Sequence, residues 1–380
     1  MLISLPVPVI REIYTFYRFF MLAGRGISFY NVEKTIMKGD FAPMEDMTIR
    51  EIHLKLRSEH EMLSAFLASH SLRLDGDVEC AFGIFEDEEL VGCGCAAGNL
   101  LKCFAIGEQL RGQNGLGTLI SRLTANRFMA GFADLFVFTR PHNRELFMGC
   151  GFVPLAETDH VILLENNRSG LSNFLGKLPR PAAGTENIGA IVMNCNPLTN
   201  GHLSLIRHAA GQCDFLYIFV VEENRSAFPF ADRIALVRAG TADLPNVCVC
   251  PSGPYMISGL TFPTYFLKDT ESPSALQSEV DITLFARQIA PALGIRRRFA
   301  GEEPFDAVTR QYNETMERLL PVHGVEFCQI PRACLGDEPI SASRVRKLLA
   351  DNGGVTDEIR RMVPPCTAEY LTEKYGEAAR

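Results

Sequence analysis

Two short segments, about 140 residues apart, carry the residue types that grip and activate a polyphosphate. The first, Asn196-Pro197-Leu198-Thr199-Asn200-Gly201-His202, follows the apolar run Ile188-Gly189-Ala190-Ile191-Val192-Met193. The second, Ile340-Ser341-Ala342-Ser343-Arg344-Val345-Arg346, leads into Lys347-Leu348-Leu349. Each reads as a loop opening a helix, where unpaired N–H groups and the positive end of the helix dipole favour an anion. In the first segment Gly201 allows close backbone approach, Thr199 can donate its hydroxyl to a phosphoryl oxygen, and His202 can donate a ring N–H. The same two residues could instead do no more than cap the helix. In the second segment Ser343 is the expected N-cap, yet Arg344, Arg346 and Lys347 crowd the first turn. Cations there oppose the helix dipole by ~0.3–1 kcal/mol each, and a bound polyphosphate reverses the sign of that effect. Side chains lean toward a helix N-terminus, so Arg346 reaches such a ligand, and its planar fork suits bidentate contact. A nucleoside triphosphate held between the two helix starts would be open to attack at its α-phosphate.

The elements needed to position these segments are legible around them. From Ile188 the pattern runs strand, helix (about 203–211), strand (215–221), helix (about 231–240) and strand (247–250). A helix around 279–290, a strand ending near Ala300 and a helix around 307–319 follow. This alternation predicts a doubly wound parallel sheet, with the first segment at the carboxyl end of a strand, where such sheets bind ligands. Residues 166–187, rich in Asn, Ser, Gly, Pro and Ala, read as a linker. Before it, residues 47–165 read as an α+β domain: hairpin strands 79–85 and 90–96 around the acidic turn Glu86-Asp87-Glu88-Glu89, a strand over 100–106, the stretch 110–117 opening a helix through about Phe128, and a strand over 134–139. The expected division is an extension over 1–46, a first domain over 47–165, a linker over 166–186 and a second domain over 187–380. The extension is irregular, apolar and broken by Pro6 and Pro8, and Met44 or Met47 would serve as a start.

Composition narrows the function classes. The chain has 380 residues, 47% of them hydrophobic and 22% charged, ordinary values for a protein that builds real cores. A net charge of −8 argues against a general nucleic-acid or anionic-membrane binder, which needs a basic face. No apolar run reaches the roughly 18–20 residues of a membrane span. The 12 cysteines include no CxxC; the pairs Cys93/Cys95 and Cys248/Cys250 lack further ligands at metal-site spacing and read as buried thiols of a reducing, cytoplasmic setting. No resident metal is expected.

The paired segments resemble the nucleotidyltransferase superfamily. The likeness narrows with Ile191-Val192-Met193-Asn194, Phe228-Pro229-Phe230 with Asp232-Arg233, Phe262-Pro263 with Tyr265-Phe266-Leu267-Lys268, and Gly301-Glu302-Glu303-Pro304-Phe305 with Val308-Thr309 and Tyr312-Asn313. Taken together these stretches resemble the citrate (pro-3S)-lyase ligase family, from about Thr48 to Tyr370. The resemblance implies use of MgATP and acetate to acetylate the thiol of the CoA-like prosthetic group on the citrate lyase acyl carrier subunit, with AMP and diphosphate leaving. It implies that Thr199 and His202 contact the phosphates, that Arg346 with Ser343 holds the β/γ end, and that Gly301 and Glu303 lie near the nucleoside, with Asn196, Gly201 and Ser341 in the nucleotide-binding set. Lys268 is either a phosphate or acetate ligand or a surface lysine. Arg296-Arg297-Arg298 reads as a solvated strand start. Cys195, inside the first segment, is not needed as a nucleophile.

Arg111-Gly112-Gln113-Asn114-Gly115-Leu116-Gly117 and Gly151-Phe152 resemble the acyl-CoA loop and a late element of GNAT acetyltransferases. The loop is one residue out of the usual register, so it serves either a CoA-like arm or only the start of a helix. Three other functions compete: a nucleotidyltransferase for a mononucleotide or phosphopantetheine-type acceptor, an acyl-CoA-dependent acetyltransferase with a regulatory nucleotide-binding domain, and a non-catalytic nucleotide sensor.

Overall fold

A computed structural model describes residues 47–110, 112–222, 226–256, 262–303, 306–336 and 338–378. The expected extension, 1–46, and Arg111, Pro304 and Phe305 of the motifs above lie outside the described residues.

The first half builds a seven-stranded mixed sheet in the order β1-β2-β3-β4-β5-β7-β6. The strands are β1 (Met47–Ile52), β2 (Cys80–Glu86), β3 (Glu89–Ala97), β4 (Leu100–Ile106), β5 (Phe136–Thr139), β6 (Val153–Glu157) and β7 (Ile162–Glu165). Helix α1 (Arg57–Ser69) follows β1, α2 (Gly115–Met129) joins β4 to β5, and α3 (Arg144–Gly149) precedes β6. Asp87 and Glu88 both adopt positive φ, as a two-residue hairpin turn of the primed type demands. This is the α+β domain expected from the sequence. Strands β4 and β5 run parallel but pair only at Leu100–Phe136 and Leu101–Val137.

The second half is a five-stranded, wholly parallel sheet in the order β10-β9-β8-β11-β12. Its strands are β8 (Ile188–Met193), β9 (Phe215–Val220), β10 (Val247–Pro251), β11 (Arg297–Gly301) and β12 (Glu326–Ile330). The chain winds outward from β8 to β10, then crosses back to β11 and β12. The switch point, where ligands sit in such sheets, therefore lies between β8 and β11. Helices α5 (Asn200–Ala210) and α6 (Phe230–Gly240) cover one face. The other face is covered by α7 (Pro273–Leu284), which continues through a π turn at Phe285–Ile289 and a last turn at Ala290–Leu293, and by α8 (Ala307–Leu319). A short hairpin, β13 (Cys334–Leu335) with β14 (Glu338–Pro339), leads into α9 (Ala342–Asn352), α10 (Asp357–Met362) and α11 (Pro365–Tyr375).

The stretch read as a linker contains a helix, α4 (Gly170–Lys177), whose Leu171 and Leu175 are buried. They join one continuous apolar core running from Ile52 and Leu63 under the first sheet to Tyr217 and Phe285 under the second. A glycine- and asparagine-rich composition hid an amphipathic turn-and-helix whose leucines share a face. The segment 262–267 cements the same junction. The Tyr265 hydroxyl donates to the Phe138 carbonyl on β5 (2.8 Å), and the Thr264 hydroxyl donates to Asp75 (2.7 Å). Lys102, 1% exposed, also meets Asp75 and Asp77.

Glu165, at the end of β7, is 1% exposed and accepts from the Tyr255 hydroxyl (2.9 Å). Burial pushes its carboxyl up to about 7 from 4.5, against the pull of that hydrogen bond. A raised folded pKa means the folded chain holds a proton that the unfolded chain loses above 4.5. The group's contribution is therefore complete below that value and is lost as pH rises through about 7. We expect the stability of the wild type in urea, measured relative to Glu165→Gln, to fall between about pH 5 and about pH 8. Equal slopes in the two proteins would contradict the assignment.

Candidate active site

Strand β8 ends at Met193, and the chain turns through Asn194–Leu198 into α5. Thr199 is the N-cap of that helix and is 1% exposed. Its hydroxyl accepts from the His202 backbone N–H (3.3 Å), and its own N–H donates to His202 Nδ1 (3.0 Å), a reciprocal capping box. The capping role weighed from sequence is thus real for both residues. It also fixes the imidazole: with Nδ1 accepting, the hydrogen sits on Nε2, the ring's outward donor. Burial, followed by the positive charge of Arg332, lowers His202 to about 4. The ring is a neutral donor at pH 7.

The loop before α5 is held from three sides. Arg233 on α6, fully buried, donates to the Asn194 carbonyl (2.7 Å) and side chain (2.6 Å) and to the Phe228 carbonyl (3.1 Å). Asn196 Oδ1 accepts from the Phe228 N–H (3.0 Å). From the third side comes Arg346 of α9, whose guanidinium donates to the Asn196 carbonyl and to Ser343 Oγ (3.0 Å). The two segments that the sequence singles out are therefore in direct contact. Gly201 completes the contact: a Cβ there would meet the Ile340 carbonyl at 3.1 Å. Gly201→Ala should push the two helix starts apart by a few tenths of an ångström and lower kcat/KM for ATP on the order of tenfold. Wild-type kinetics in that variant would show that the spacing is not critical.

The N-cap of α9 is Ser341, which accepts from the Arg344 N–H (3.1 Å), and not Ser343 as its position in the motif suggested. Ser343 sits one step inside the helix, where its hydroxyl supports Arg346. Arg344 turns away to Glu338 and Glu358, so among the crowded cations it is Arg346 that faces the α5 loop.

Two cavities flank this junction. One, about 330 Å³, is lined by Glu303, Asp306, Arg332, Glu338, Ser341 and Ser343. It lies between the ends of β11 and β12 and the start of α9, and Glu303 is paired there with Arg332 (2.8 Å). Gly301 closes β11 beside it, and its carbonyl accepts from Asn313 (3.0 Å). The other, about 250 Å³, lies across the end of β8, lined by Val192, Met193, Asn194, Asp281, Arg298 and Tyr312 among others. Lys268 lines neither: it is exposed, in the turn where Glu271 pairs with Arg140 of the first domain. The surface reading of Lys268 is the one the structure supports. Two residues escaped sequence reasoning. Arg332 carried no motif signal. Arg298, expected to be solvated, is 4% exposed; alternation along β11 sends Arg297 out to Glu326 and Arg298 inward. Cys195 is 1% exposed and its thiol is pushed far up by burial, so it is no nucleophile. Among the described residues no group of three or more His, Cys, Asp or Glu side chains could hold a metal, and no helix is long and apolar enough to cross a membrane.

Residues 188–371 match the family profile described as the citrate lyase ligase C-terminal domain. The citrate (pro-3S)-lyase ligase of Klebsiella pneumoniae is 39% identical over 325 residues, covering 84% of this chain and 94% of that protein. This chain belongs to the citrate (pro-3S)-lyase ligase family. The ligase of the same name from Escherichia coli K12 is 40% identical over 83% of this chain and 92% of its own length. That from Haemophilus influenzae is 37% identical, over 82% and 94%. The chain is accordingly an enzyme, a ligase, and the paired helix starts both fall within the residues that match the family profile.

Proposed function

We propose that this ligase acetylates the thiol of the CoA-like prosthetic group on the citrate lyase acyl carrier subunit, in two steps at the junction of α5 and α9. ATP lies across the two helix starts, with magnesium arriving as part of the MgATP substrate. Arg346, Ser343 and the first-turn N–H groups of α9 hold the β/γ end, while His202 Nε2 donates to the α-phosphate region. Acetate is ionised at neutral pH, so no general base is needed to activate it. One carboxylate oxygen attacks the α-phosphorus, the bond to the bridging oxygen of the β-phosphate breaks, and diphosphate leaves. The carrier thiolate then attacks the carbonyl carbon of the acetyl-adenylate, the acyl C–O bond breaks, and AMP departs with the carboxylate oxygen. The protein's contribution is position and charge neutralisation rather than covalent chemistry.

The single observation that carries this reading is the contact between the two segments, Arg346 to the Asn196 carbonyl, which brings both anion-binding helix starts to one place. The setting is a cytoplasmic one, in keeping with 12 cysteines that form no disulfide among the described residues. The test is incubation with ATP and acetate, with and without deacetylated carrier, following diphosphate and acyl transfer. Acetate-dependent diphosphate release and carrier acetylation are expected. Adenylyl transfer to a phosphopantetheine-type acceptor without any need for acetate would favour the nucleotidyltransferase alternative.

A further inference from the structure

The cavity across the end of β8 holds an arginine in an unusual position. Arg298 is 4% exposed, and among the described residues no carboxylate oxygen comes within ion-pair distance of it. Its guanidinium lies over the Phe285 ring, 4.2 Å from the centroid. Taking a cation out of water carries a large cost, and a cation–π contact returns only part of it. A buried guanidinium lining a cavity is stabilised when an anion enters it.

Three further features define that anion. The cavity is about 250 Å³, below the roughly 300–1,000 Å³ of pockets that take drug-sized ligands. Its walls include Val192, Val221, Met256 and Val308, which suit a short aliphatic chain. Among the described residues its one lining carboxylate is Asp281, which accepts from the Tyr312 hydroxyl, and that hydroxyl lies beside both Asp281 and Arg298. A second carboxylate on the ligand would face Asp281 and be repelled. Position supplies the role. Arg298 stands in register with Ala190 on β8, and the same cavity reaches Asn194, four residues on, where the loop toward His202 begins. An acid held here is presented to the α-phosphate from the face of the sheet opposite α5.

We propose that this cavity is the acyl-donor site, and that Arg298 binds the carboxylate of a short monocarboxylic acid while Val192 and its neighbours limit chain length. The proposal rests on the two-step reading above and names the site of its first substrate.

The experiment measures diphosphate release against acetate and against ATP in wild type, Arg298→Gln and Arg298→Lys, with melting temperature as the check on folding. Arg298→Gln should raise KM for acetate roughly 10- to 100-fold, with KM for ATP little changed. Arg298→Lys, which keeps the charge and loses the fork, should fall between. An unchanged acetate KM in folded Arg298→Gln overturns the proposal, as does a rise confined to the ATP KM, which would give the cavity to the nucleotide. Val192→Ala provides an arm independent of the arginine. It should shift kcat/KM toward propionate or butyrate relative to acetate by roughly tenfold, and an unchanged chain-length preference overturns the assignment even if no Arg298 variant folds. Absence of acetate-dependent diphosphate release in the wild type would instead defeat the two-step reading itself. Wild-type turnover with unshifted constants in the variants defeats only the role of Arg298.

Discussion

Arg346→Lys is expected to lower acetate-dependent diphosphate release by about 10²-fold, the scale of losing a preorganised donor to a charge that develops in the transition state, in a protein that remains folded. The substitution keeps the positive charge, so a purely electrostatic role would leave much of the rate. What it removes is the fork. In the structure that fork contacts the Asn196 carbonyl and Ser343 Oγ together. A lysine ammonium is a compact point charge on a flexible stem and cannot hold that arrangement and present a second edge to a phosphate. The loss should appear mainly in kcat, with a small change in melting temperature, because Val345 and Leu349 still anchor α9 in its own apolar cluster. Near-normal turnover in a folded Arg346→Lys variant would contradict the bidentate role.

His202→Ala should cost as much or more, about 10²–10³-fold in kcat, and the pH dependence of the wild type should show why. With Nδ1 committed to the Thr199 N–H and the ring held at about 4, His202 stays neutral with its Nε2 hydrogen in place across the neutral range. The pH–rate profile should therefore carry no His202 inflection near 6.5 and should fall only as pH approaches about 4. The same shift has a stability sign. The unfolded chain binds a proton below 6.5 and the folded chain does not until about 4, so acidification across that interval weakens the fold, and stability is recovered as pH rises. An inflection near 6.5 that disappears in His202→Ala would contradict the neutral-donor assignment.

Much of this site was legible because it is built from local rules. The first segment shows its helix start through Thr199 and His202, residues whose capping bonds span three positions. The 307–319 helix and the 100–106 strand fall where periodicity places them. The elements that were misread depend on distant partners. Arg298 looked solvated because one arginine in a run of three carries no local sign of burial. Its fate is decided by α7 and α8 closing over β11. Helix α4 looked like linker because its glycine and asparagine content outweighs two leucines whose partners come from both domains. Ser343 is a good cap by type, but the chain reaches helical geometry one residue after Ser341, where β14 releases it. Lys268 shares a segment with Tyr265 and Phe266, which bury themselves at the junction between the two sheets and leave the lysine in solvent. Parallel sheets covered on both faces hide their polar interior positions from pattern reading, because either side of a strand can be inside.

The two-step chemistry is tested most directly by following the oxygen atoms of the acid. With acetate labelled by ¹⁸O in both carboxylate positions, attack of the carboxylate on the α-phosphorus followed by thiolate attack on the carbonyl carbon leaves one labelled oxygen on the phosphate of AMP and the other in the acetyl thioester. Mass spectrometry of the AMP formed with deacetylated carrier should show that single label. AMP free of ¹⁸O, or ADP and inorganic phosphate as the products, would contradict an acetyl-adenylate made at the junction of α5 and α9.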